Sequence, residues 1–152
     1  MEFAEGRVYK MIKIKERKCN KIEDKEFIYE TTKETLYPYI SKFLNPTRER
    51  FEANYENFWK DVVILLHNNK KIGFYQLKIE GNTLEIVKIF FIPQYQKKGL
   101  GTLFIKKFEA MGYKKLRLEV WENNPAVNFY KKLGFVAIQN IEHKIHMEKT
   151  LR

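Results

Sequence analysis

The spacing of apolar residues along the chain changes from a helical to a strand-like period near residue 60. In residues 22–43, apolar and aromatic side chains recur three or four positions apart, which predicts a helix. Pro38 lies inside this stretch and should kink or split the helix. A second helix is predicted over residues 47–59, with Asn45 or Thr47 as its cap.

After residue 60, short apolar runs alternate with turn residues. Asn68-Asn69 and Gly81-Asn82 are typical of tight hairpin turns, and Gly134 should end a short helix. The predicted elements are an opening strand from Met11, the two helices above, strands 61–67, 71–80 and 83–93, a loop 94–101, a helix to about 112, a strand 115–121, a helix 125–133, and strands 135–139 and 143–149. The order β-α-α-β-β-β-α-β-α-β-β predicts a mixed α/β or α+β domain.

Length and composition restrict the class of protein. The 152 residues, 44% of them hydrophobic, suit one packed domain, which we place at residues 8–152 after a leader or frayed end at 1–7. No apolar run is long enough to span a bilayer, and the first residues lack the apolar core of a secretory signal. The single cysteine, Cys19, excludes an internal disulfide and a thiolate metal site. We therefore expect a cytoplasmic protein that does not associate with membranes and holds no metal.

The net charge of +10 would attract anions such as nucleic acid or a phosphorylated cofactor. The lysines are scattered along the chain, which favours ordinary solvated surface positions. No zinc-finger spacing or RNP-type aromatic motif accompanies the charge. Nucleic-acid binding is therefore a secondary hypothesis.

The segment 92–102, IPQYQKKGLGT, leaves a strand, turns through two glycines and enters a helix. Glycines let successive backbone N–H groups point to one place, and a helix N-terminus adds partial positive charge. This arrangement suits a phosphate, although a strand-to-helix turn also needs glycine for structural reasons. The segment lacks the Gly-Lys-Ser/Thr ending of a P-loop and the three-glycine Rossmann spacing, which disfavours nucleoside triphosphates and NAD.

A second segment, residues 118–135, reads LEVWENNPAVNFYKKLGF and predicts a strand, a short helix, a glycine stop and another strand. Together the two segments resemble the GNAT superfamily of N-acetyltransferases, over about residues 60–149 in element order. The matching residues are Gln96, Gly99, Gly101, Asn123, Ala126, Phe129, Tyr130, Gly134 and Phe135. One residue fewer separates the strand valine from the helix tyrosine than in the family pattern, so either Asn123 or Asn124 could be the family's asparagine.

The resemblance implies a twisted sheet of about seven strands that splays between the strand ending at Pro93 and the strand ending near Trp121. Acetyl-CoA, as cosubstrate, would enter that opening, and an amine acceptor would meet it there. The residues implied in acetyl-CoA binding are Phe90, Phe91 and Ile92 for the pantetheine, Gln96, Lys97, Lys98, Gly99, Leu100, Gly101 and Thr102 for the pyrophosphate, and Asn123 and Tyr130 near the thioester.

Two residues are candidates for acid–base chemistry in direct acetyl transfer. Tyr130 resembles the family's general acid, and its hydroxyl could protonate the departing thiolate; a helix-face aromatic in the core is the alternative. Glu85 lies where a family branch has a catalytic glutamate. A lone carboxylate in an apolar strand is desolvated and suits a base, whereas an exposed residue opposite Lys78 or Lys88 is the alternative. In many members of the superfamily the proton passes through water to no single base, which would leave Glu85 without that role.

The remaining features leave the acceptor open. Glu26, Glu30 and Glu34 share one face of the first predicted helix, either as a solvated surface or as the wall of a cleft for a cationic amine. The acceptor could be a small molecule, a peptide or a protein. The domain could also bind an acyl-CoA without catalysis, and the last two strands could form a homodimer contact.

Overall fold

A computed structural model describes residues 13–152, so the predicted leader and the start of the predicted first strand at Met11 lie outside the described residues. The strands are β1 Lys15–Lys18, β2 Val62–His67, β3 Lys70–Glu80, β4 Thr83–Phe91, β5 Lys115–Trp121, β6 Val136–Ile141 and β7 Lys144–Thr150. The helices are α1 Lys25–Thr35, α2 Tyr37–Ile40, α3 Arg48–Phe58, α4 Leu100–Glu109 and α5 Ala126–Lys132. Among the described residues, no helix is both long enough and apolar enough to cross a membrane.

The seven strands form one mixed sheet in the order β1-β2-β3-β4-β5-β7-β6. All neighbouring pairs are antiparallel except β4 and β5, which run parallel and are joined through α4. The predicted mixed α/β fold with about seven strands is confirmed.

Local sequence signals account for most element boundaries. The first predicted helix is split into α1 and α2 at Leu36, two residues before Pro38. The hydroxyl of Thr47 accepts a hydrogen bond from Arg50 N at 3.1 Å, so Thr47, and not Asn45, caps α3. Asn68 and Asn69 both have positive φ, as the tight turn between β2 and β3 requires. The first strand differs: within the described residues it begins at Lys15, where pairing with β2 begins.

Helices cover both faces of the sheet and create two apolar cores. On one face, α4 packs Phe104 and Phe108 against side chains of the central strands. On the other face, α1 and α3 bury Ile28, Phe51 and Tyr55 against β2 and β3. Each core consists of residues from distant parts of the chain, so the helices are fixed relative to the strands that they cover.

The sheet opens between its two parallel strands. β4 and β5 pair only from Thr83–Lys115 to Ile86–Leu118, and beyond that point their ends separate. A bulge lies at the same place: Gln76 on β3 is opposite Lys88, whereas the next residue, Leu77, is opposite Ile86. Val87 is therefore an extra residue that bends β4 where β5 departs from it. The predicted splay between these strands is confirmed.

Candidate active site

The opening between β4 and β5 forms a cleft of about 510 Å³. Its walls are the second half of β4, the end of β5, the start of α5 and the junction of α1 with α2. β4, β5 and α1 each contribute charged side chains to the cleft, and β4 adds apolar ones. The lining side chains with acid–base or charged groups are Glu34, Tyr39, Glu85, Lys88, Glu119, Tyr130 and Lys144.

The glycine loop ends at an uncapped helix N-terminus. Gly99 precedes α4 with φ of 83°, in the left-handed region, and no side chain caps the helix there. The amides of Leu100, Gly101 and Thr102, in the first turn of α4, therefore have no intrahelical acceptor. The neighbouring Lys97 also has a positive φ, 58°. This geometry suits an anion, because unpaired N–H groups and the helix dipole act together.

Residues of the glycine loop have different roles: some carry charge at the surface, and others hold the loop by hydrogen bonding or packing. Lys97 and Lys98 are both exposed. Gln96 lines the cleft and donates its side-chain amide to the carbonyl of Phe91 at 2.8 Å, which ties the loop to the end of β4. Gly101 has a packing role, since a Cβ there would lie 3.3 Å from the ring of Phe129.

The edge of β4 offers a free backbone amide to the cleft. Ile92 donates its N–H to the carbonyl of Ile72 on the β3 side at 2.9 Å. Because backbone groups alternate in direction along a strand, those of Phe91 turn away from β3 toward the cleft, and those of Phe90 turn to β3. Of the three residues predicted for the pantetheine, Phe91 therefore presents its amide to the opening.

Tyr130 projects from α5 into the cleft. Its ring packs edge-on against Phe129 and Phe135, with ring centroids 5.1 and 5.5 Å away. Tyr130 therefore has the packing role that was the alternative, and it also lies at the cleft as predicted. Burial raises the pKa of Tyr130 to about 12. The hydroxyl therefore keeps its proton at neutral pH and is a hydrogen-bond donor.

Glu85 lines the cleft but is not the lone carboxylate that the sequence suggested. Its Oε1 accepts a hydrogen bond from Nη2 of Arg117 on β5 at 3.3 Å. The two strands are still paired here, Glu85 opposite Arg117, which brings the side chains together. Lys78, its neighbour on β3, is exposed. The expected isolation of this carboxylate is wrong, because the parallel partner strand supplies a guanidinium.

The two asparagines before α5 have different places. Asn124 lines the cleft, and its Oδ1 accepts a hydrogen bond from Ala126 N at 2.9 Å. Asn123 instead donates its side-chain amide to the carbonyl of Tyr39 at 3.1 Å, so it links the β5–α5 turn to α2. Asn124 is therefore the asparagine at the cleft, whereas Asn123 holds the opposite wall.

Of the three glutamates on α1, only Glu34 reaches the cleft. Glu26 forms an ion pair with Arg48, and Glu30 lies 3.6 Å from Lys33. Glu26 and Glu30 therefore belong to a solvated surface, and Glu34 belongs to the wall of the cleft. Tyr39 lines the same wall.

Three charged residues at the cleft, Lys88, Glu119 and Lys144, were not foreseen as site residues from the sequence. Glu119 on β5 lies 3.9 Å from Lys144 and 3.7 Å from His146. Lys88 on β4 places its ammonium 3.2 Å from the centre of the Phe58 ring, and burial lowers the pKa of Lys88 to about 8. The period-2 pattern of β5 could have indicated Glu119, because it alternates with core residues Leu118 and Val120.

Comparison with known proteins agrees with this architecture. Residues 57–137 match the family model of the acetyltransferase (GNAT) domain. An N-alpha-acetyltransferase of Sulfurisphaera tokodaii is 27% identical, over 94% of this chain and 91% of that protein. The fold is similar to that of PaiA N-acetyltransferase from Thermoplasma acidophilum, solved with coenzyme A, with a TM-score of 0.71 and 23% identity over 91% of this chain and 99% of that one. An acetyltransferase of Thermus thermophilus superposes with a TM-score of 0.75 at 16% identity, over 92% of this chain and 98% of that one.

The family model covers more than half of the sequence, including the glycine loop, both splayed strands and α5. The chain belongs to the GNAT family of acetyltransferases, whose typical acetyl donor is acetyl-CoA.

Proposed function

We propose that this N-acetyltransferase moves an acetyl group from acetyl-CoA directly to the primary amine of an acceptor while both are bound in the cleft. The observation that carries the proposal is the opening between β4 and β5, which brings the edge of β4, Tyr130 and Gln96 of the loop before α4 to one cleft. A direct transfer fits the site, because the single cysteine, Cys19, is not among the residues that line it.

The residues fit the donor at two places. Backbone amides from Gly99 to Thr102 would hold the pyrophosphate, with Lys97 and Lys98 adding positive charge. The backbone of Phe91 would pair with the pantetheine amides in the manner of an added strand. Gln96 supports both contacts, since it holds the loop against the carbonyl of Phe91.

Acetyl-CoA supplies a thioester, and a neutral amine can attack the carbonyl carbon of this thioester. Tyr130 donates a hydrogen bond to the leaving sulfur. With a pKa of about 12, Tyr130 would transfer its proton completely only to a strong base, and an ordinary thiolate has a conjugate-acid pKa of about 8.5. We therefore assign Tyr130 to stabilising the thiolate by hydrogen bonding more than to full proton transfer.

For the base that accepts the amine proton, we propose Glu85. Arg117 holds the carboxylate in position at 3.3 Å, and the carboxylate lines the cleft. Glu119 is the other strand carboxylate at the cleft, and it faces the opening from β5. Replacing Glu85 and Glu119 one at a time by glutamine shows which of the two carboxylates acts as the base. Glu85→Gln should remove the acidic limb of the pH–rate curve, whereas Glu119→Gln should keep that limb.

We place the acceptor among primary amines. The N-alpha-acetyltransferase relative supports testing the α-amine of a peptide first. The exposed apolar side chains of Val136, Ile138 and Ile141 on the edge strand β6 support the homodimer contact predicted at the last two strands. A cytoplasmic location stays a prediction.

The test is release of free CoA thiol when the purified protein, acetyl-CoA and a primary amine are combined. CoA alone should raise the melting temperature, since a ligand at a hundredfold excess over its Kd stabilises the folded state by about 2.7 kcal/mol. Binding of CoA without turnover of any amine would favour an acyl-CoA-binding module. A protein that neither binds CoA nor releases it would refute the proposed function.

A further inference from the structure

Lys88 stands out among the charged side chains at the cleft because no carboxylate in the described part of the chain pairs with it. Two lysines line the cleft. Lys144 lies 3.9 Å from Glu119, whereas Lys88 has no carboxylate within 4 Å among residues 13–152. Within those residues the ammonium of Lys88 lies against the face of the Phe58 ring.

The surroundings of Lys88 favour an anion. Its cross-strand neighbour on the same face is Gln76, a neutral side chain that is 8% exposed, so β3 offers the ammonium no counterion at this register. An ammonium in such a place has lost water without gaining a counterion, and an aromatic face replaces only part of that hydration. A ligand carboxylate beside the ammonium would supply the missing partner.

Lys88 also lies on the acceptor side of the sheet. Its ammonium points to Phe58 at the end of α3, on the face that α1 and α3 cover. The glycine loop leads into α4, which packs on the opposite face. The donor's phosphates would therefore lie away from Lys88, and a molecule that enters between α1 and β5 would approach it.

We propose that Lys88 binds a negatively charged group of the acceptor, so that the preferred substrate is an amine that carries a carboxylate. This inference rests on the proposed function and narrows its substrate class. Glu85, the proposed base, and the exposed carboxylates of Glu34 and Glu119 suit the amine end of such a molecule. Opposite charges within the cleft would thus orient a substrate with both groups.

The experiment compares two acceptors that differ only in charge: the C-terminally amidated dipeptides Ala-Glu and Ala-Gln. We expect wild-type protein to acetylate Ala-Glu with a kcat/KM at least about tenfold higher, since a hydrogen bond to a charged group discriminates by that order. Lys88→Met keeps the apolar stem and removes the charge, so the ratio should fall to about one. Lys88→Arg should keep part of the preference.

Lys78→Met is the matched control. Lys78 lies on the same face of the sheet but is exposed and does not line the cleft, so its loss should leave the dipeptide ratio unchanged. The thermal shift with CoA should be the same in all four proteins, which shows that the cleft is folded. If neither dipeptide is a substrate but other amines are, the α-amides of L-glutamate and of L-glutamine form the second pair, judged by the same ratio.

A wild-type ratio below about two, or an unchanged ratio in Lys88→Met, would overturn the inference while leaving the acetyltransferase function intact. Absence of CoA release with every amine would refute the proposed function and the inference with it. A large ratio that is lost in Lys88→Met, reduced in Lys88→Arg and kept in Lys78→Met would support it.

Discussion

The stability of the protein should rise with pH because of one lysine. Burial lowers the pKa of Lys88 from 10.5 to about 8, so between these values the unfolded chain binds a proton that the folded chain has lost. Stability increases with pH wherever the unfolded state binds more protons. At pH 7 the folded ammonium is charged and desolvated, with a cost of up to ~3.4 kcal/mol for a shift of about 2.5 units.

From pH 7 to pH 9 the folded ammonium loses its proton and ~1.3 kcal/mol of that cost disappears. In a domain of this size the melting temperature should rise by about 3–5 °C. Other groups also titrate here, so the quantity to measure is the difference between wild type and Lys88→Met, by calorimetry at pH 7, 8 and 9. Lys88→Met should be the more stable protein at pH 7, and its advantage should shrink as the pH rises.

Lys78→Met, at an exposed position, should show a flat difference over the same range. A flat difference for Lys88→Met, or a loss of stability at pH 7, would refute this account of Lys88. Such a result would mean that the ammonium is hydrated or that it stabilises the fold through the Phe58 ring.

Three further predictions concern the loop, the tyrosine and a helix cap. Gly99→Ala places a side chain at φ of 83°, so it should lower the free energy of unfolding by about 1–2 kcal/mol and weaken CoA binding in titration calorimetry. Gly81→Ala is the control: at φ of 60°, with no atom within 4 Å of its Cβ, it should lower stability by a similar amount and leave CoA affinity unchanged. Tyr130→Phe should lower kcat by about 10²-fold with CoA affinity retained. Because burial raises the pKa of Tyr130 to about 12, any alkaline limb of the pH–rate curve between pH 8 and 10 should persist in this variant. An unchanged kcat would contradict the donor role of Tyr130. Thr47→Ala should destabilise the protein by about 1 kcal/mol in urea unfolding, and no loss would mean that the cap contributes nothing.

Local signals made most of the fold predictable from the sequence. The turn at Asn68-Asn69, the split near Pro38 and the glycine before α4 each depend on the conformational preference of a residue and its neighbours. The glycine loop and the residues before α5 also carried the family resemblance. These features need no knowledge of which strands become neighbours.

The charged part of the site could not be predicted in the same way. Glu85 meets Arg117 only because β4 and β5 pair in one particular parallel register. Lys88 is desolvated by Phe58, thirty positions earlier in the chain, and lies beside Gln76 only through the register of β3. Such contacts depend on tertiary packing, which neither periodicity nor composition encodes.

The extra residue at Val87 has a consequence for how this gene can change. Before it, even-numbered residues of β4 such as Leu84 and Ile86 face the core under α4; after it, odd-numbered residues such as Ile89 and Phe91 do. Deleting the Val87 codon would leave the other side chains of β4 on their present faces, Lys88 included, but would straighten the strand where β5 departs from it. The presence of one extra residue here, more than its identity, is therefore what selection must keep if β4 is to bend away from β5.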